Sequence, residues 1–537
     1  MRKIIDKLET KKTALFLIFV SVGLLAHFEL YANHLTNPDG LSIGMCYNSR
    51  NATLQLGRWG INCVEIIRGY LCPPFVISTL ALVYMSIASL IIIKFYDLKN
   101  FYSQLSIGIM LIVCPAMSQT LSYYYRSDTY MLAMLFACIS AYCLDDKGLR
   151  KKICGIVFLI LTLSIYQSYI GVTCILLLSK LILDLLRDTT IKETIKRMLY
   201  FCIAGIVSLL LYYAIALICL KIFNLTFSSY SGANKGALAG LSVWRTSLHT
   251  IYKNFVQFIF GDNPYLIKNK YWHRALFNGI FLIITLFQTI FIIYKRKIFQ
   301  NISKILLLFI YFLLIPFSAC IIRFITPDHN YELLMSVPLY IIFPIGICIM
   351  EIASESIDIN HINDVPKRFH MLLSISLILL NIINWTYLLS DNATYLYLNK
   401  LQSRYISVAE CIYTRLGAIE GYTKDMPILI AGRITEDNYP FNNVPKIKEL
   451  KNAAIGQISE WDYFWPGYAG TKNGWYCLFR EHLGQSINLC SDEEYVNIVS
   501  TENFYNMGVF PNNNSTKIIN GVVVIKLVED PDLPNTE

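Results

Sequence analysis

The chain returns again and again to uninterrupted apolar runs of roughly 20 residues, the length an α-helix needs to cross the hydrocarbon core of a bilayer. Eleven such runs stand out: 13–32, 75–94, 102–120, 129–144, 153–168, 170–186, 199–220, 275–294, 305–322, 333–351 and 371–389. Lipid offers no partner to a backbone N–H or C=O, so each run predicts a helix, which satisfies its own backbone. Composition follows from that pattern: 15% of the 537 residues are charged and mean hydropathy is +0.47, against about 25% charged in an ordinary soluble domain. The expected fold class is a polytopic α-helical membrane protein with about 11 transmembrane helices. The first run is long and lacks a small-residue cleavage site, so a removable leader is not expected.

Charge then predicts orientation. The formal net charge of +9 is a topology signal before it is a sign of nucleic acid. Arg2, Lys3, Lys7, Lys11 and Lys12 precede the first run, and every second short connection is basic, as at Lys151–Lys152, Arg187 to Arg197, Lys295 to Lys297 and Lys367–Arg368. The positive-inside rule places these in the cytoplasm. The intervening turns after the third, fifth and ninth runs hold only Arg126 and Arg323. The N-terminus is therefore expected inside, with loops 33–74 and 221–274 outside. The latter loop contains a glycine-rich piece, 231–236, and an amphipathic stretch, 243–260.

Residues 1–390 make up the expected membrane domain. Beyond them the chain turns polar, has no spanning run, and shows strand-like pieces at 427–431 and 522–527 between turns rich in Asn, Gly and Pro. Residues 391–537 are thus expected as a soluble α/β or α+β domain on the outer side. Most of the 15 cysteines lie in apolar runs, where cysteine is a small hydrophobe. Cys477 and Cys490 lie in the tail, either joined as a disulfide if that side is oxidising or left as two thiols. No CxxC or Cys/His cluster has zinc spacing, so neither a structural metal nor a cofactor is expected.

Candidate chemistry gathers on the outer side. Asp39 sits between Pro38 and Gly40 just after the first run, a setting that favours a tight turn presenting the carboxylate. Arg50, Arg58 and Arg68 follow it. An acid near arginines suits a base that deprotonates a hydroxyl beside a bound phosphate; the plain alternative is a polar turn. The stretch 52–70 alternates apolar and polar residues at helical spacing, as in a helix lying on the membrane or packed in a loop domain. Arg126 and Asp128 follow the third run and either pair with each other or face a cavity. Arg323 ends the ninth run as an interfacial anchor or as a phosphate contact. Tyr166, Gln167 and Tyr169 interrupt an apolar stretch, to bond and stack on a sugar or to bond between helices. Asp328 and His329 close this set, with His329 a loop residue or a general acid or base.

One outer acid after the first helix, about eleven helices, a late helix-terminal arginine and a soluble outer tail together resemble the GT-C class of polyprenyl-phosphate-sugar-dependent glycosyltransferases. More narrowly, the Asp39 loop followed by Gly57-Arg58-Trp59, the Tyr166-Gln167 pair, Arg323 and the tail opening at Ile428-Leu-Ile-Ala-Gly432 resemble the phage-encoded O-antigen glucosyltransferases that convert bacterial serotype. The resemblance implies a bacterial inner-membrane enzyme with a periplasmic tail. Its donor would be undecaprenyl-phosphate-glucose and its acceptor lipid-linked O-antigen of lipopolysaccharide. It also implies Asp39 as the base, Arg323 with Arg126 or Arg58 on the donor phosphate, and Tyr166, Gln167, Tyr169, Asp128 and His329 around the sugars. That family often carries two adjacent acids in the first loop; here Asn37-Pro38-Asp39-Gly40 holds one, which weakens a metal-bridging role and puts the whole base role on one residue. The alternatives are a flippase for lipid-linked sugars and a non-catalytic scaffold. Transporters commonly show paired halves and broken mid-membrane helices, and no such pairing is legible here.

Overall fold

The structure is a computed structural model that describes residues 2–228, 241–260, 273–325, 332–355, 365–436 and 444–534. The chain divides into two compact units, one of Met1–Phe28 with Tyr47–Asp391, the other of Glu29–Cys46 with Asn392–Glu537. Residues 29–46, expected as the end of the first membrane helix and the start of the loop after it, thus group with the tail.

The first unit is helical. Among the described residues of the chain, ten helices are long and apolar enough to cross a membrane. All eleven expected runs are helical; the one outside the ten is Leu149–Ile165, whose 17 residues span about 26 Å at 1.5 Å per residue. Prolines shape several of the others. The third run is broken into Phe101–Val113 and Pro115–Ser122, because Pro115 forces Cys114 into an extended conformation (ψ 144°). The tenth begins as a nine-residue 3-10 helix, Leu333–Ile341, around Pro338 and continues as Ile342–Glu355. The eleventh is the membrane part of a 53-residue helix, Val365–Gly417, and the division between the units falls within it.

Polar groups tie the basic connections down. Arg197 donates to Asp184 at 2.5 Å and pairs with Asp145, while the Glu351 carboxylate accepts the Lys99 N–H at 2.8 Å and the Asn100 N–H at 3.3 Å. The amphipathic stretch near 243–260 is a helix, Leu241–Phe260. The glycine-rich piece 231–236, Asp328 and His329 lie outside the described residues.

The second unit is built on a three-stranded sheet in the order β1-β3-β2, where β1 is Ile428–Ala431, β2 is Thr516–Ile519 and β3 is Val522–Lys526. β1 runs parallel to β3, with Ile428 opposite Val523, and β2 runs antiparallel to it. Side chains alternate across a sheet. Ile428, Ile430, Val523 and Ile525 therefore join one core with Tyr405, Trp475 and Phe479, while Leu429, Ala431, Val522 and Val524 join another with Tyr495 and Phe504. Both faces are covered, which is why these strands read as unbroken apolar runs.

Cys477 belongs to the first of these cores and Cys490 to the second, and both are free thiols. The sheet stands between them, so the disulfide is not formed. Burial also pushes both thiols up, Cys490 to about 11, which keeps them protonated and unreactive at neutral pH. Folded protein at pH 7.5 should therefore leave both tail cysteines unmodified by iodoacetamide, with alkylation appearing after denaturation. A Cys477–Cys490 peptide in a non-reducing digest would contradict this packing.

Candidate active site

The segment 57–60 shows how two glycines place an arginine. It joins the helices Arg50–Gln55 and Trp59–Ile67. Gly57 has φ +72°, and a Cβ there would stand 2.4 Å from the Tyr212 hydroxyl; a Cβ on Gly60 would stand 2.3 Å from Oγ of Ser164. Only glycine allows both the backbone turn and the close approach. Arg58, between them, donates from Nε to Oε1 of Gln167 at 3.2 Å and lies over the Tyr166 ring at 5.2 Å. Gln167 in turn donates to the Leu56 carbonyl at 2.8 Å and to the Tyr212 hydroxyl at 2.9 Å. Its amide is thus engaged at both ends, as a clamp between elements.

The helix Trp59–Ile67 buries Gly60, Ile61 and Glu65 and turns Ile66 and Ile67, 57% and 85% exposed, outward. Apolar side chains on the outer face suit contact with lipid. Glu65, 1% exposed, accepts a hydrogen bond from Oγ of Ser49 at 2.5 Å and one from its N–H at 3.2 Å. Arg126, on the 3-10 turn Tyr124–Arg126, stands 3.9 Å from Glu65. That is an ion pair at its outer limit. The guanidinium is 7% exposed and lies over the rings of Tyr47 and Tyr125 at 5.6 and 5.5 Å. Among the described residues its Nε has no hydrogen-bond partner.

Asp128 pairs with Arg68 at 2.9 Å, and not with Arg126. Arg68 also donates to the Tyr125 carbonyl at 3.1 Å, and Asp128 accepts from Thr129 through both N–H and Oγ1. Its carboxylate is occupied inside the protein, so the Arg126–Asp128 pair, one of the two alternatives open in the sequence, gives way to Arg68–Asp128 and Arg126–Glu65. A series of rings joins the two arginine environments: Tyr125 to Tyr123 at 6.2 Å, Tyr123 to Tyr130 at 6.5 Å, and Tyr130 to Tyr166 at 4.7 Å. Tyr169, fully buried, stands edge-on to Tyr166 at 5.0 Å.

Two further expected site residues are described, Arg323 and Asp39. Arg323 is half-buried on the four-residue helix Ile322–Ile325, where the neighbouring Phe324 packs on Phe317 at 5.1 Å. Asp39, in the second unit, does not stand in a simple turn. It occupies the first turn of the six-residue helix Pro38–Ile43, capped by the Asn37 side chain, which accepts from the Gly40 N–H. The Trp465 indole donates to the Asp39 carboxylate at 3.2 Å. Glu65, Ser49 and Tyr47 were not singled out from sequence. The signal present was the spacing of Glu65 and Arg68, three residues apart and so on one side of a helix, opposite the exposed isoleucines.

A family model described as Glucosyl transferase GtrII matches residues 30–350, more than half of the chain. The protein belongs to the GtrII glucosyltransferase family. That membership makes it a glycosyltransferase, and the matched span covers Asp39, the 57–60 segment, Glu65, Arg68, Arg126, Gln167 and Arg323. No curated protein and no solved structure matches the chain.

In this GtrII family member the Arg68–Asp128 pair serves as a strut. Leaving one member of a buried pair uncompensated costs about 3–5 kcal/mol, whereas replacing both by apolar groups is often neutral. Arg68→Met should lower the thermal unfolding midpoint in detergent markedly, and Arg68→Met/Asp128→Leu should restore most of it. A single variant as stable as the parent would exclude the strut.

Proposed function

We propose that the protein is an inverting glucosyltransferase that moves glucose from undecaprenyl-phosphate-glucose to a sugar hydroxyl of lipid-linked O-antigen. Its place is the bacterial inner membrane, with the N-terminus cytoplasmic and the C-terminal unit periplasmic. The observation that carries this reading is Arg126, a guanidinium buried among tyrosine rings whose carboxylate partner stands as far as 3.9 Å away. An arginine held in place but not saturated keeps N–H groups for an anion, and a guanidinium bonds two phosphate oxygens at once. The donor's lipid tail is supported by a cavity of about 490 Å³ in the same unit, lined by apolar residues such as Phe255, Leu282, Leu286, Phe309 and Ile345.

In the reaction the acceptor hydroxyl oxygen forms its bond to the anomeric carbon as the bond from that carbon to the donor phosphate breaks, and the configuration inverts. The bonding pair leaves with the phosphate, whose extra negative charge Arg126 stabilises, with Arg323 as a further cation. Charge that develops in the transition state is where a preorganised donor has its largest effect. The hydroxyl proton passes to Asp39, the assigned base. Arg58, tied to Gln167, keeps the buried Tyr166 in position beside it.

Glucose transfer from labelled donor by the purified full-length chain tests the reading. Removing a transition-state donor typically costs about 10²–10³ in turnover, and removing a general base about 10²–10⁴. Arg126→Ala should fall in the first range with Arg126→Lys partly active, and Asp39→Asn in the second, all with normal amounts of protein in the membrane. Parent-like turnover in Arg126→Ala would remove the phosphate assignment, and in Asp39→Asn the base.

A further inference from the structure

The second unit contains a cleft of about 280 Å³ that the reaction described above does not use. Its lining includes three cations, Arg404, Arg433 and Lys451, and three carboxylates, Glu436, Glu460 and Asp462. These are largely matched against one another. Arg433 donates to Oδ2 of Asp462 at 3.0 Å, and Arg404 pairs with Glu436 at 3.3 Å while donating to the Thr435 carbonyl at 2.8 Å. The other oxygen of Asp462 is pinned by the Tyr405 hydroxyl at 2.6 Å and the Tyr463 N–H at 2.8 Å. Arg433 and Asp462 nevertheless remain 31% and 32% exposed, so a ligand reaches them. Two aromatic residues, Trp461 and Tyr397, also line it, with Lys451 over the Tyr397 ring at 5.8 Å.

We infer that this cleft is a binding site for a neutral oligosaccharide, the glycan of the acceptor. Three features of the lining select that ligand class. Planar charged groups fixed by their own pairing present donors and acceptors side by side, matching the paired hydroxyls of a sugar ring. An aromatic face beside them takes the ring's C–H surface. Equal numbers of the two charges among the described lining residues leave no net field for a phosphate or an anionic polymer, which a site built for charge would require. The assignment rests on the proposed function, since it names the substrate class that function implies.

The test uses the full-length chain in detergent and, as probe, the producing cell's O-polysaccharide released from lipid by mild acid. Binding is measured by calorimetry without donor, and the acceptor KM is measured in the transfer assay. Trp461→Ala should weaken polysaccharide binding and raise acceptor KM by about tenfold, the loss of roughly 1.4 kcal/mol, with donor KM and kcat unchanged. Trp461→Phe, which keeps a ring, should recover most of both. Arg433→Ala, which releases Asp462, should weaken binding in the same direction. Unchanged polysaccharide binding in both Trp461→Ala and Arg433→Ala overturns the site. So does a parent protein that binds a polyanion such as heparin more tightly than the neutral polymer. Binding with these losses but without glucose transfer by the parent supports the cleft and removes the proposed function. Transfer with an unchanged acceptor KM in Trp461→Ala does the reverse.

Discussion

The candidate site depends on how a buried positive charge is held without being used up. At an effective dielectric of about 20, two charges about 4 Å apart still attract by about 4 kcal/mol, so Glu65 stabilises Arg126 across 3.9 Å without taking its hydrogens. The rings of Tyr47 and Tyr125 add cation–π attraction. Glu65 is itself fixed by two hydrogen bonds from Ser49, which stops it from closing on the guanidinium. The contrast with Arg68 is instructive. That arginine donates from Nη1 to Asp128 at 2.9 Å and from Nη2 to the Tyr125 carbonyl, with its Nε left without a hydrogen-bond partner among the described residues, and works as structure. Two arginines in one helix-end cluster thus have different roles, set by about an ångström of separation.

The 57–60 segment places the neighbouring ring faces by a chain of small constraints. Gly60 lets the helix Trp59–Ile67 press on Ser164, and Gly57 lets the preceding turn press on Tyr212. Gln167 then satisfies the Leu56 carbonyl left at that turn, and Arg58 satisfies Gln167. Buried polar groups that each find a partner rigidify their surroundings. The outcome is that Tyr166 cannot drift, and with it the aromatic series leading to Arg126.

How much of this was legible in the sequence depended on range. The apolar runs are local signals, and all eleven are helical. The strands Ile428–Ala431 and Val522–Lys526 were legible for the same reason. β2 was overlooked although Asn520-Gly521, both at positive φ, mark a hairpin turn of the kind that joins it to β3. Asp39 was expected in a turn, yet Asn37 as cap, Pro38 at the first position and an acid in the first turn are also helix-start signals; local chemistry fitted both. The pairings were not legible. Arg68 and Asp128 are 60 residues apart and Arg58 and Gln167 are 109 apart, and no periodicity reports which arginine meets which carboxylate. The separation of Cys477 from Cys490 by a sheet face is equally a property of the tertiary packing.

The two units differ in the kind of ligand their electrostatics suit, and the dielectric explains the difference. In the first unit a barely exposed arginine sits among rings, where a single charge acts strongly because little water screens it. That is a setting for an anionic group, such as the phosphate of the proposed donor. In the second unit the cleft groups are part-exposed and balanced, where water weakens any single charge and discrimination has to come from hydrogen-bond geometry and ring faces. That is a setting for an uncharged glycan, the ligand proposed for it. A phosphate in the balanced cleft would meet as much repulsion as attraction, and a neutral sugar beside Arg126 would offer its buried Nε–H no anionic oxygen.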